Sequence, residues 1–282
     1  MANLRGGNHE KQIKDATHRM GRLGQKKRDD EGKNAHSVKV QNDRVAMLRD
    51  FAKTVPIETK LNEAMTSENV QKFLETRLEG LKGSTQETYA RGFSAMIESL
   101  QSNNISVTVE KEIFNNFVHE AKANDTSSVE IYRSISHEDF QTLQANLSSR
   151  HEMSGVIAEV QYQMGYRISE AVEIVKNIQN HLKNGNLEKV YGKGGREYSE
   201  KAISPELIQK IEALENQIGK STYDKDLRAE GVKSHNLRIS FAKNEYEKEI
   251  NQGIAHHESM KETSNELGHS RPYMTQYYLN RA

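Results

Sequence analysis

Apolar residues recur at helical spacing along most of the chain, and that rhythm breaks over residues 187–203. One stripe holds Val70, Phe73, Leu74, Leu78 and Leu81 and stops near Gly83. A second holds Tyr89, Phe93, Met96, Ile97 and Leu100 and stops at Asn103-Asn104. Further stripes hold Phe140, Leu143 and Leu147, then Val156, Ile157, Val160 and Met164, then Leu207, Ile208, Ile211, Leu214 and Ile218. Spacings of three and four residues put each set on one face of a helix. Around Gly192-Lys193-Gly194-Gly195 the pattern turns to short strand-like pieces, which predicts a hairpin. The expected fold is mainly α with a small antiparallel sheet, an α+β chain.

Start signals sharpen the boundaries. Ser84-Thr85-Gln86-Glu87 reads as a capping box, with Ser84 at the N-cap. Ser136 with Asp139 three residues on opens another helix, and Ser204-Pro205 opens a third with proline in its first turn. From His235 to the end the pattern is helical. A length of 282 residues supports about two domains. Residues 1–45 are polar and carry 11 Lys/Arg against 6 Asp/Glu, so a basic flexible N-terminal arm with at most short helices is expected. Residues 46–125 predict a helical domain, 126–135 a linker, and 136–282 a second domain.

Composition removes several kinds of chemistry. The chain has no cysteine, which excludes disulfides, thiolate catalysis and cysteine-based zinc sites. No apolar run approaches a membrane span, and the N-terminus lacks a secretory h-region, so the default compartment is the cytoplasm. Net charge is zero, with 40 Lys/Arg against 40 Asp/Glu, so charge alone does not point to nucleic acid.

The chemistry lies in four separated segments: Gly165-Tyr166-Arg167-Ile168-Ser169-Glu170, Gly192-Lys193-Gly194-Gly195-Arg196, His235-Asn236-Leu237-Arg238, and Leu267-Gly268-His269 followed by Tyr277-Tyr278. Each residue alone is ordinary. A lone arginine is usually a solvated charge, a lone histidine usually structural, and Gly-Lys-Gly-Gly alone a turn. Together they supply two guanidiniums, two imidazoles, an ammonium and a phenol. Guanidinium matches phosphate bidentately and never loses its charge. Imidazole donates to a phosphate oxygen near neutral pH, lysine can protonate a leaving alkoxide, and tyrosine can form a covalent intermediate. His235 and Arg238 lie three residues apart, on one helix face. The set points to phosphoryl transfer in which protein cations take the role a metal fills elsewhere.

In that order the motifs resemble the tyrosine recombinase, or phage integrase, family of lambda-integrase-like site-specific recombinases. Gly-Tyr-Arg-Ile-Ser-Glu resembles the family's first arginine motif, with Arg167 as the clamp and Glu170 as its acidic support. Lys193 is similar to the hairpin lysine. His235 and Arg238 match the His-x-x-Arg box with its following Ser-Phe-Ala, and His269 matches the Leu-Gly-His box. The family's tyrosine lies nine residues after that histidine, which lands on Tyr278, with Tyr277 as the neighbouring rival and Tyr273 behind it. The resemblance implies a catalytic domain over 136–282 and, more weakly, a core-binding (SAM-like) DNA-binding domain over 46–125. Only residues 279–282 follow Tyr278, where many members carry a segment that docks on a neighbouring subunit.

The resemblance further implies a metal- and ATP-independent DNA strand transferase without cofactors. Tyr278 would attack a scissile phosphate to give a 3′-phosphotyrosine and a free 5′-hydroxyl. Arg167, Arg238, His235 and His269 would hold the non-bridging oxygens, with Lys193 as general acid. Its partners would be double-stranded DNA recombination sites, a homotetramer on synapsed DNA (monomer or dimer when free), and accessory DNA-bending proteins, with no membrane and a nucleoid-associated cytoplasmic location. The expected role is integration or excision of a mobile element or prophage. A type IB topoisomerase would use a similar set as a monomer and relax supercoils without synapsis. A catalytically inactive DNA-binding relative would be expected to lack at least one of the six polar residues, and all six are present. A metal hydrolase built on His256, His257 and Glu258 is disfavoured because adjacent residues point in different directions on a helix.

Overall fold

A computed structural model describes residues 3–25, 29–30, 33–123, 133–192, 195, 197–269 and 273–280. The chain divides into two compact units, Met1–Val129 and Glu130–Ala282. The expected linker falls mostly on residues 124–132, outside the described residues.

In the first unit the described helices are α1 (His9–Met20), α2 (Val38–Thr54), α3 (Leu61–Ala64), α4 (Ser67–Leu78), α5 (Gly83–Ser102) and α6 (Lys111–Ala123). Their stripes converge on an aromatic centre. Phe51 and Phe73 meet edge-on at 5.4 Å, and Phe73 and Phe93 lie 5.1 Å apart. All three are fully buried, which contributes on the order of 1.5–3 kcal/mol per ring.

The described residues of 1–45 do not form the flexible arm expected from their composition. Ile13, Ala16 and Met20 of α1 are buried in the same core as Phe51 and Phe93. Asn8 caps that helix through the Lys11 amide. Buried Gln12 donates to the Gly7 carbonyl and accepts from the Leu61 amide, and the Leu4 amide donates to buried Asn62. Several basic groups are engaged within the unit, Arg5 and Arg19 by Asp15, and Arg44 by the Lys33 carbonyl. The basic run Lys26-Lys27-Arg28 lies outside the described residues.

Two smaller expectations are also corrected. Helix α5 begins at Gly83 with Lys82 at its N-cap, so Ser84 sits inside the first turn and is not the capping residue. Gln86 reaches back to the Leu78 and Leu81 carbonyls and ties the incoming turn to a helix that starts two residues earlier than expected. Helix α4 ends at Leu78, and Leu81 is 38% exposed beyond it.

The second unit is built around α8 (Glu152–Met164), which is buried on nearly every side. A helix apolar all round must be enclosed. Around it pack α7 (His137–Arg150), α9 (Ile168–Lys176), α11 (Pro205–Glu212), α12 (Lys220–Ala229) and α13 (Ser234–Asn251). Ser136 caps α7 through the Asp139 amide, and Ser204 caps α11. Helix α11 ends at Glu212, short of the expected stripe; Leu214 and Ile218 pack on the core from the following segment. After α10 (Ile178–His181) come β1 (Leu182–Lys183), β2 (Asn186–Leu187) and β3 (Lys201–Ala202), an antiparallel sheet in that order. Leu182 faces Leu187 across the first pair, and Leu187 faces Lys201 across the second. The β1–β2 turn uses Asn184 and Gly185, both at positive φ (53° and 79°), as a tight hairpin turn requires. The expected hairpin follows, with Tyr191 bridged to Glu197 and the Gly195 amide donating to the Gly192 carbonyl. Helices α14 (His256–Glu266) and α15 (Tyr273–Leu279) pack on α13.

Helix α13 also carries a strained acid. Glu249 is 7% exposed, and its Oε2 has no hydrogen-bond partner among the described residues. Burial, then repulsion from Glu245 and Glu262, pushes its carboxyl up to about 7. The folded chain therefore holds a proton that the unfolded chain has lost between about pH 4.5 and 7, so this group's contribution to stability falls as pH rises through that window. Glu249→Gln is expected to stabilise the protein by roughly 2–3 kcal/mol at pH 8 and by almost nothing at pH 4. Denaturant titrations at the two pH values measure the difference.

Among the described residues no helix is long and apolar enough to cross a membrane.

Candidate active site

The site forms where two helices end and two begin. Helix α8 stops at Gly165, which takes a left-handed backbone (φ 68°) and reverses the chain. A Cβ at that position would overlap the Phe241 ring, so the turn requires glycine twice over. Two residues later Arg167 is the N-cap of α9, and its side chain stands at the mouth of a cleft. Glu170, one turn into α9, accepts from the Arg167 amide at 2.8 Å and from Arg167 Nη1 at 3.3 Å. The Glu170 carboxylate thus ties the guanidinium to the amide of its own residue.

Arg238 comes from the second turn of α13 and is 1% exposed. One Nη donates to the Gly165 carbonyl at the end of α8, the other to the Leu267 carbonyl at the end of α14. Helix C-termini carry partial negative charge, so two of them offset part of the penalty of burying a guanidinium. Among the described residues no carboxylate forms an ion pair with Arg238, and its Nε has no partner. A buried cation held by dipoles alone retains its attraction for an anion.

Three turns of chain converge beside it. Nη2 of Arg238 lies 3.2 Å from His269 Nε2. The His269 ring meets the Tyr278 ring edge-on at 5.1 Å, and His235 meets the same ring at 4.9 Å. Tyr278, on α15, is 4% exposed and packs with Ile239, Phe241, Ala242 and Leu267. Its rivals point elsewhere: Tyr277 is 41% exposed and Tyr273 58%. The structure thus brings Arg167, Glu170, His235, Arg238, His269 and Tyr278 into one connected cluster. Lys193 lies outside the described residues.

Arg167, His235 and Arg238 line one cleft of about 420 Å³, with Gln161, Lys233, Arg228 and Asp224 around it. Arg228 is paired with Asp224 at 2.9 Å. The cleft is therefore cationic at its floor and mixed at its rim.

Sequence reasoning missed the groups that hold this geometry. Gln161 is fully buried, donates to the Tyr166 carbonyl and to Ser234, and accepts from Tyr223. It locks the end of α8 to the start of α13. Lys201 is buried on β3, paired with Glu266 at 2.8 Å, bonded to the Met164 carbonyl and 4.6 Å from the Phe241 ring. Burial lowers its pKa. Tyr198 bonds both Arg167 and Glu170. A glutamine or lysine inside an apolar pattern is a sequence signal, but it names no partner. His256, considered earlier as a metal ligand, is bonded through Nδ1 to the Tyr246 hydroxyl at 2.6 Å.

No family model matches the sequence, and no curated protein matches it. Solved structures do. A lambda integrase dimer bound to a COC′ core site superposes with a TM-score of 0.58 at 15% identity, covering 86% of this chain and 71% of that one. The XerH site-specific recombinase, in a post-cleavage complex on a palindromic difH substrate, gives 0.54 at 13% identity over 95% of this chain and 79% of that one. The Tn1549 transposon integrase, in complex with a circular intermediate DNA, gives 0.55 at 12% identity over 88% and 90%. Three independent recombinases therefore share one architecture with this chain. It has the tyrosine recombinase fold, mainly helical with a small antiparallel sheet.

Proposed function

We propose that the chain is a tyrosine-type site-specific DNA recombinase that cleaves and rejoins strands through a phosphotyrosine on Tyr278. The observation that carries this reading is the buried Arg238 guanidinium, held by two helix ends without a carboxylate, beside Arg167 at one cleft and Tyr278 between two histidines. A cleft with that floor suits an anion that gains charge in its transition state.

In this mechanism Arg167 and Arg238 neutralise the non-bridging oxygens of the scissile phosphate. His235 and His269 donate to the same oxygens and orient the phenol. Tyr278 attacks in line, its phenol proton passing to solvent, and forms the P–O bond to its oxygen as the bond to the 5′-oxygen breaks. Lys193, by its resemblance to the hairpin lysine, protonates that leaving oxygen, a role worth about 10²–10⁴-fold for general acids broadly. A 5′-hydroxyl of a partner duplex then attacks the phosphotyrosine. The number of phosphodiester-type bonds is conserved, so neither ATP nor a metal is required.

The residues 46–125 serve as the core-binding DNA-binding domain in this reading. The neighbours support DNA recombination sites as partners and a tetramer as the working assembly, since lambda integrase is also known as a tetramer bound to a Holliday junction. Integration or excision of a mobile element fits the lambda and Tn1549 neighbours, with accessory DNA-bending proteins as further partners.

A nicked suicide duplex carrying the cognate site tests the chemistry. The expected result is a protein–DNA adduct stable to denaturant that forms equally well in EDTA and without nucleotide. Adduct formation that stops in EDTA would contradict a metal-free phosphotyrosine route.

A further inference from the structure

Tyr198 lies in none of the four motif segments, yet all four meet on it. Its hydroxyl accepts from Arg167 Nη1 at 2.7 Å and donates to Glu170 Oε2 at 2.7 Å. Arg238 Nη1 lies 3.5 Å from the same oxygen. The ring rests on two motif glycines: a Cβ on Gly192 would come within 2.9 Å of it, and one on Gly268 within 2.7 Å. Tyr166 packs edge-on at 5.0 Å. The Tyr198 amide donates to the Val190 carbonyl across the hairpin, so the ring is anchored by its backbone as well.

Two guanidiniums aimed at one small anion repel each other when the anion is absent. A phenol oxygen between them can relieve this, because its lone pairs accept from both while its single proton is committed elsewhere. Here that proton goes to Glu170. Glu170 reaches the Arg167 guanidinium only at 3.3 Å, and the phenol is the group that touches both arginines. Burial, partly opposed by Arg238, pushes the phenol up to about 12, so it keeps the proton it donates throughout the neutral range.

We propose that Tyr198 is a positioning residue that sets the separation and orientation of the Arg167 and Arg238 guanidiniums for a bound phosphate. The proposal rests on the reading of this cleft as a phosphodiester site, and deepens it. Tyr198 does not touch the reacting atoms; it acts through the two arginines and through Glu170. Because its ring also seats Gly192 and Gly268, the hairpin turn and the Leu-Gly-His turn are registered against the same side chain.

Tyr198→Phe tests this, because it keeps the ring and its packing on both glycines and removes only the hydroxyl. Two measurements are made on the full chain. The first is affinity for inorganic phosphate without DNA, by calorimetry; the second is single-turnover adduct formation on a nicked suicide duplex. The expected result is phosphate affinity lowered about 10-fold and adduct formation slowed about 10- to 100-fold, the range for losing a hydrogen bond to a charged group. Melting temperature should fall only by the few degrees that one lost buried hydrogen bond accounts for, with the protein still fully folded at the assay temperature. Equal phosphate affinity in the two proteins, or none in either, overturns the proposal. A loss of cleavage matched by a loss of folded protein at the assay temperature assigns the hydroxyl to stability alone and overturns it too. A wild-type chain that binds phosphate but leaves DNA uncut would sink the recombinase reading, and the phosphate comparison would still decide the role of Tyr198.

Discussion

Tyr278→Phe is expected to abolish covalent attachment to DNA while leaving binding of the intact site unchanged. The substitution deletes one oxygen from a ring that packs with Ile239, Phe241, Ala242 and Leu267 and lies edge-on to His235 and His269. None of those contacts requires the hydroxyl, so the helix α15 should stay docked. Loss of a nucleophile removes the intermediate itself, and the fall in single-turnover cleavage should be on the order of 10³-fold or more. Gel separation of the adduct under denaturing conditions reads the first quantity, and equilibrium binding to uncleaved duplex reads the second. Persistent attachment would move the nucleophile to Tyr277, which the fold leaves 41% exposed.

Arg238→Lys is expected to be nearly as damaging, although it keeps the positive charge. The guanidinium spans the Gly165 and Leu267 carbonyls and still reaches His269. An ammonium is a point charge on a flexible stem and cannot bridge two carbonyls on opposite sides. One helix end is then left with an unmade buried hydrogen bond, which costs about 1–3 kcal/mol. Cleavage should fall by about 10²- to 10³-fold, as when one donor to a developing oxyanion is removed. Thermal melting and single-turnover cleavage measured on the same preparation separate the two effects. Cleavage at the wild-type rate in a folded Arg238→Lys protein would show that only charge, not fork geometry, matters at this position.

The parts of the fold legible in the sequence are those whose signal is local. Apolar stripes such as Phe140, Leu143 and Leu147 mark buried faces because helix period and burial share one cause. Ser136 and Ser204 announce helix starts because a hydroxyl satisfies amides that nothing else can reach. Gly165 and Arg167 stand in one short motif, and the structure places that motif at the end of one helix and the start of the next.

What escaped was non-local or faint. Helix α1 buries only Ile13, Ala16 and Met20 beside Gln12, too sparse a stripe to stand out among its charges, and charge count alone made residues 1–45 look like an arm. Its partner Leu61, whose amide donates to Gln12, lies 49 residues away in the chain. Asn184-Gly185 did carry a hairpin signal, and the strand reading began just after it. The polar scaffold of the site could not have been read at all. Nothing near Gln161 in sequence indicates Tyr223 and Ser234 as partners, and nothing near Tyr198 indicates Arg167, Glu170 and Arg238. Motifs gave the chemical groups and some of their anchors, Glu170 and the Gly165 and Leu267 carbonyls, whereas Gln161 and Tyr198, which no motif contains, also hydrogen-bond within the same cluster.

The most direct measurement is peptide mapping of the trapped adduct by tandem mass spectrometry, after nuclease and protease digestion of the wild-type protein on a suicide duplex. A phosphotyrosine mechanism centred on this cluster predicts a residual nucleotide on Tyr278, linked through a 3′-phosphate. A nucleotide on Tyr273 or Tyr277, or on a residue other than tyrosine, would contradict it.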